Sequence, residues 1–197
     1  MRKGDATRAR IIEAAARQAA IRGLAAVSLN DVAEDVGLSK SGLFKHFTSK
    51  DDMHIAVVEA VLDRFRDFVR TPAQALPPGR PRLEAIFDNW LRWGENEWAD
   101  SGCPVNQLSI EFDDQPGPVR DLLRARLGTF RDAVLAEFQA LRDPPLAKAE
   151  AQAAYFQMKS FIFGHSDARR MMGDTDAART ARAAFQALLD RTAKAAA

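Results

Sequence analysis

Ser28-Leu29-Asn30-Asp31-Val32-Ala33-Glu34-Asp35-Val36-Gly37-Leu38-Ser39-Lys40-Ser41-Gly42-Leu43-Phe44-Lys45-His46-Phe47 is the stretch whose reading decides the fold. Ser28 stands just before an apolar-periodic run, where its side-chain oxygen can cap a helix. Asp31, three residues on, is a short version of a capping-box acid. The spacing predicts a helix over Leu29–Val36 with Val32 and Ala33 facing inward. Gly37 breaks it, Leu38 is the apolar turn residue, and Ser39 caps a second helix, Lys40–Phe47. Two short helices joined by so tight a turn must cross steeply, as in a helix-turn-helix. Leu43 and Phe47 lie four apart and point to the core, leaving Lys40, Ser41, Lys45 and His46 on the outer face. Small hydroxyl and cationic residues at a helix N-terminus suit insertion into a DNA major groove. The plainer alternative is a helix pair that only packs, and Ser28 is a cap in either reading.

Working outward, Thr7–Arg22 reads as a helix, with Ile11, Ile12, Ala15 and Ala19 at helical spacing and Gly23 as its C-cap. Thr48-Ser49 opens a long helix over Lys50–Arg70, with a buried stripe of Ile55, Val58, Val61, Leu62, Phe65 and Phe68. Thr71–Pro81 holds four prolines and a glycine and is expected to be a loop. Helices are then expected over Arg82–Trp98, Pro104–Phe112, Pro118–Leu141, Leu146–Met172 and Thr175–Thr192, with Gly164 a weak point in the eighth. No strand-like alternation and no internal repeat appears, so the expected fold is all-α with about nine helices. The expected division is a DNA-binding domain over residues 1–50 and a helical ligand-sensing and dimerisation domain over residues 51–197.

Bulk properties narrow the function classes. Of 197 residues 47% are hydrophobic, enough to bury a sizeable core. No run of 18 apolar residues exists, so no membrane span is expected. A single cysteine, Cys103, forbids an intrachain disulfide and fits a cytoplasmic protein. The net charge of +1 hides an asymmetry. Residues 1–50 hold nine Lys/Arg against five Asp/Glu, and the rest hold nineteen against twenty-two. A basic N-terminal quarter is a modest pointer to a polyanion.

The pattern Ser28-x-x-Asp31-Val32-Ala33-x-x-Val36-Gly37-Leu38-Ser39-Lys40-Ser41-Gly42-Leu43-Phe44-Lys45-His46-Phe47-x-x-Lys50 resembles the DNA-binding signature of the TetR family of transcriptional regulators. The likeness spans about residues 7–53, and Cys103–Asp121 is fainter in its similarity to one branch of that family's sensor domains. The resemblance implies that Ser28 caps its helix beside a phosphate. It implies that Ser39, Lys40 and Ser41 read bases and adjacent phosphates. Lys45, His46 and Lys50 would face the DNA, with His46 and Lys50 on the backbone; Lys50 is otherwise a solvated charge. Phe44 stands in the DNA-facing set where relatives more often carry tyrosine, so a phosphate hydrogen bond from a hydroxyl is lost. Gly42 replaces Thr or Ala inside the recognition helix and costs up to ~1 kcal/mol of helix propensity.

The resemblance further implies an effector cavity among the fourth to eighth helices. Its expected lining is Phe87, Trp90, Leu91, Cys103, Ile110, Phe130, Met158, Phe161 and Ile162, with Asn106, Gln107 and His165 as polar groups. The effector would be a small lipophilic or aromatic molecule. Most of these residues fit an ordinary core equally well. Cys103, at a helix start, is either a reactive thiol or an incidental buried one. Glu111, Asp113 and Asp114 read as loop and cap residues, since no His or Cys completes a metal set. No metal and no cofactor is expected. Ala178, Ala181, Phe185, Leu188 and Leu189 form a narrow stripe on the last helix. It either covers the chain's own core or joins the eighth helix in a homodimer; the family likeness favours the dimer. The function implied is a ligand-responsive repressor, bound as a dimer to a palindromic double-stranded DNA operator. An enzyme is the rival from another class, but His46, His54 and His165 are scattered and no nucleophile or phosphate-loop motif occurs. A module answering to a protein partner is the other.

Overall fold

The computed structural model describes residues 3–97 and 102–194. Among them are nine α-helices and no strand. They are α1 (Lys3–Arg22), α2 (Leu29–Asp35), α3 (Lys40–Leu43), α4 (Lys50–Phe65), α5 (Arg80–Arg92), α6 (Pro104–Glu111), α7 (Pro118–Gln139), α8 (Lys148–Arg170) and α9 (Ala177–Ala193). The all-α expectation is met. Two compact units result. The first comprises residues 1–64 and 104–126, the second residues 65–103 and 127–197.

In the first unit α1, α2, α3 and most of α4 close over Ile11, Ala15, Leu24, Val27, Val32, Leu43, Phe47, Met53 and Val58, all fully buried. α1 begins at Lys3, four residues before the expected Thr7. It ends at Gly23, whose φ of 84° is a left-handed cap and whose N–H donates to the Ala19 carbonyl at 2.9 Å. The second helix of the turn motif is shorter than expected. α3 keeps α-geometry only over Lys40–Leu43. The His46 N–H then donates to the Leu43 carbonyl at 2.8 Å, three residues back, which is a tighter turn. Gly42, with its low helix propensity, sits at the centre of this short helix.

The second unit begins at Phe65, the last residue of α4. The helical rod continues through Arg70 but as a π-turn, closed by the Thr71 N–H on the Arg66 carbonyl at 3.0 Å. Val69 takes the fully buried position, and Phe68, expected in the core stripe, is half-buried against Trp93. Thr71–Pro81 is only partly loop. Pro72–Ala75 forms a 3-10 turn, and α5 starts at Arg80 with Pro81 in its first turn, where a missing N–H costs nothing. Gly79 is required there. Its φ is 83°, and a Cβ would lie 2.8 Å from the Ala140 carbonyl oxygen. The Gly79 N–H and the Arg82 guanidinium both bind the Glu137 carboxylate, at 2.9 and 3.0 Å, pinning the segment to α7. α5 passes into a second π-turn, Trp93–Glu97. Trp98, the expected end of that helix, lies outside the described residues.

α8 runs unbroken through Gly164 and packs along α9. The buried stripe of α9 is Ala177, Ala181, Phe185, Leu188 and Leu189; Ala178, expected within it, is half-buried. Much of this stripe is spent inside the chain. Phe185 stacks on Phe87 of α5 with centroids 4.1 Å apart, and Arg182 pairs with Asp88 at 2.8 Å.

Candidate nucleic-acid interface and sensor half

Each helix of the turn motif is held by its own cap. The Ser28 hydroxyl accepts from the Asp31 N–H at 3.2 Å, and the Ser39 hydroxyl from the Gly42 N–H at 3.1 Å. A Cβ on Gly42 would lie 3.2 Å from the Ser39 oxygen, so glycine leaves room for this cap. The Asp31 carboxylate meets Arg22 at 2.8 Å, and its acidity is held below the usual range by the Ser28 hydroxyl first and Arg22 next. Ser39 and Ser41 share a hydroxyl–hydroxyl contact of 3.1 Å.

Leu43 and Phe47 are fully buried, while Ser39, Lys40, Ser41, Phe44 and Lys45 are exposed and His46 is half-exposed. Phe44 is 42% exposed, a large ring left on the outer face. The Arg8 guanidinium lies 4.7 Å from the Phe47 ring centroid and covers it. Ser28 is half-buried at its cap. Lys50 is exposed, and its ammonium donates to the Ala25 carbonyl at 2.5 Å. That contact ties the start of α4 to the connection between α1 and α2.

The same connection holds a residue that sequence reasoning placed only among loop and cap acids. Glu111, at the end of α6, accepts the Leu24 N–H at 2.9 Å and the Ala25 N–H at 2.6 Å. Gly23 lets it approach: a Cβ there would lie 3.0 Å from the nearer carboxylate oxygen. His54 of α4 completes the set, its Nε2 lying 3.2 Å from the Val27 carbonyl. A signal did exist. Gly23-Leu24-Ala25-Ala26-Val27 contains no polar side chain, so a buried N–H there that meets no backbone carbonyl needs an acceptor from elsewhere in the chain.

In the second unit Phe87, Trp90, Leu91, Cys103, Phe130, Met158, Ile162 and His165 are buried, and Phe161 is half-buried. Phe65 presents its ring to Trp90, Trp93 and Phe130 with centroids 5.2, 5.8 and 5.2 Å away. Cys103 packs beside Gly94, its Cβ 3.6 Å from where a Cβ on Gly94 would be. His165 Nε2 lies 3.1 Å from the Glu95 carboxylate. Asn106, Gln107 and Ile110 are on α6 in the first unit, with Asn106 buried and Gln107 half-buried. Ile110 departs from the expected apolar lining. It is 62% exposed, because Val105, Leu108 and Phe112 form the inward face of α6 and turn it to the other side.

Burial holds both His54 and His165 below the ordinary imidazole value. For His165 the Glu95 carboxylate opposes the shift without overcoming it, so the contact is a hydrogen bond to a neutral ring. His54 faces Lys50, which lowers it further, and Asp51 and Glu111, which raise it. An unfolded imidazole titrates near 6.5, so below that pH the unfolded chain binds more protons than the folded one. Stability is therefore expected to fall as pH drops through about 6.5 and to level off below the folded values. Melting curves across that range check this. His54→Gln, which keeps an N–H donor, is expected to flatten the dependence; an unchanged slope would remove His54 from the account.

The chain can now be set beside known proteins. The family description "Bacterial regulatory proteins, tetR family" matches residues 11–57, and "Tetracyclin repressor-like, C-terminal domain" matches residues 79–185. The HTH-type transcriptional repressor KstR2 of Mycobacterium tuberculosis is 33% identical over 87 residues, 42% of either chain. The alignment thus spans less than half the length of that relative. A TetR transcriptional regulator from Chloroflexus aurantiacus superposes with a TM-score of 0.79 at 23% identity, covering 96% of each chain. AibR, solved in complex with isovaleryl coenzyme A and operator DNA, superposes with a TM-score of 0.74 at 20% identity, covering 92% of this chain and 97% of its own. With one family description on the helix-turn-helix and another over more than half of the chain behind it, this protein belongs to the TetR family of bacterial regulatory proteins.

Proposed function

We propose that the chain is a ligand-responsive repressor that binds a palindromic operator as a homodimer in the cytoplasm and is released by a small lipophilic or aromatic effector. The observation that carries this reading is the outer face of α3. Lys40 and Ser41 project from a short helix and Lys45 from the turn after it, a segment anchored by two fully buried residues, Leu43 and Phe47. Ser39, Lys40 and Ser41 read bases and nearby phosphates; Ser28, Lys45, His46 and Lys50 hold the backbone; Phe44 makes apolar contact. Residues 1–50 carry the DNA contacts, and residues 51–197 supply sensing and dimerisation, with α6 returning to the first unit through Glu111. Dimerisation through α8 and α9 is supported by Phe156, which α8 leaves 73% exposed. Two-fold symmetry then sets the recognition helices about 34–36 Å apart, one DNA turn. KstR2, a repressor, and AibR, seen with both an acyl thioester and operator DNA, support the repressor and effector parts of the reading. The effector acts by binding the two conformations with different affinity; a coupling of about 1–3 kcal/mol changes operator affinity roughly 5–150-fold.

The test is a salt-dependent titration on the DNA flanking the protein's own gene. Wild type is expected to bind as a dimer, with affinity falling steeply as salt rises. The Lys40→Ala, Ser41→Ala double variant is expected to lose about 1–3 kcal/mol and to shallow the salt slope by about one. If the double variant matches wild type at every salt concentration, the α3 face is not the reading surface.

A further inference from the structure

Two buried donors in the second unit have no acceptor. The indole N–H groups of Trp90 and Trp93 are buried and make no hydrogen bond, although the residues are 3% and 1% exposed. They stand three residues apart at the end of α5, where the helix passes into its π-turn. Both indole rings meet the Phe65 ring in T-shaped contacts, and Trp90 also meets Phe130 at 5.3 Å and 90°. Tryptophan N–H groups normally find a partner when buried, because an unmet donor in an apolar site is unfavourable. The other buried polar side chains described in this unit are satisfied. Asn89 donates to the Val69 carbonyl at 3.1 Å and accepts from Arg92 at 2.5 Å, and His165 meets Glu95. The unmet hydrogen-bonding capacity is therefore concentrated in one aromatic cluster and is of donor type. Among the described residues the unit buries no Lys or Arg, and its buried imidazole is held neutral. No buried cation is therefore described there to compensate an anionic head group.

We propose that the effector is a neutral, ring-containing molecule with a hydrogen-bond-accepting oxygen, received by the Trp90 and Trp93 N–H groups against the Phe65 and Phe130 rings. This rests on the reading of the second unit as the sensor and narrows it to one ligand class. The rings supply apolar contact, and the two N–H groups distinguish a carbonyl or ether oxygen from plain hydrocarbon.

Three probes sharing one ring system separate the contributions: fluorenone, with a neutral acceptor; fluorene, with none; and fluorene carboxylate, with a charge. They are titrated into the full-length protein while its indole N–H resonances are followed by NMR, assigned with Trp90→Phe and Trp93→Phe. Fluorenone is expected to bind about tenfold more tightly than fluorene, one net hydrogen bond's worth, and to move both indole N–H resonances downfield. The carboxylate is expected to bind most weakly. Equal binding of fluorenone and fluorene, or no binding of any probe, overturns the ligand class. This comparison uses wild-type protein, so it holds even if a variant misfolds. Fluorenone binding with the expected resonance shifts supports the class; if the operator complex is then unmoved at saturation, the class stands and the sensor reading fails.

Discussion

Phe47→Ala is expected to cost about 3–5 kcal/mol of unfolding free energy, the range for emptying a fully buried aromatic site, and to abolish operator binding. Phe47 is fully buried, closes the turn after α3, and carries Arg8 over its ring. Its loss removes the floor beneath Lys40, Ser41 and Lys45 while leaving those side chains in place. Urea unfolding measures the first effect and operator titration the second. The informative comparison is Phe44→Ala. Phe44 is three residues away but 42% exposed, so its removal is expected to change stability by less than about 0.5 kcal/mol. Equal destabilisation by the two variants would contradict the assignment of inner and outer faces.

Glu111→Ala is expected to destabilise the first unit by about 1.5–3 kcal/mol, the worth of hydrogen bonds to a charged group. The two N–H groups it accepts are not equivalent. Leu24 is fully buried, and without the carboxylate its N–H is stranded, whereas Ala25 is exposed and its N–H turns to water. Glu111→Gln keeps an acceptor oxygen and loses the charge, so about half the penalty is expected. Paired unfolding curves test this. If alanine and glutamine cost the same, charge rather than hydrogen bonding holds the connection. Because Lys50 and His54 grip the same five residues, Lys50→Ala combined with Glu111→Ala is expected to be non-additive.

The helix-turn-helix was legible almost residue by residue because its signals are local. Ser28, Gly37, Ser39 and the buried pair Leu43 and Phe47 each act within one or two turns of chain. The length of α3 is not legible, because the one signal against a longer helix, Gly42, is a propensity cost and does not name the residue at which the turn tightens. The two π-turns escaped for a different reason. A π-turn differs from an α-turn by one inserted residue, and nothing in Arg66–Arg70 or Trp93–Glu97 marks that insertion. Phe68 and Val69, three and four residues after Phe65, compete for the same face, and apolar spacing alone does not say that Val69 takes it. Apolar character identified the buried set of the second unit well, since Phe87, Trp90 and Met158 have few places to go but inside. It failed at Ile110, where the inward face of an eight-residue helix was already filled by Val105, Leu108 and Phe112. Glu111 was named, but its role was invisible because its partners lie 86 and 87 residues away.

That separation bears on how the protein is born. The first unit is discontinuous: its second part, residues 104–126, follows the first by some forty residues. On the ribosome, helices α1 to α4 emerge first, yet the acceptor for Leu24 and Ala25 has not been translated. At about 5–20 residues per second, the 86 residues from Ala26 through Glu111 take several seconds to synthesise. Through that interval the recognition helix exists without its clamp. A nascent chain, or one truncated before α6, thus carries the exposed residues of α3 on an unfinished support, and completing the support requires residues 65–103, the first part of the second unit, to be made first.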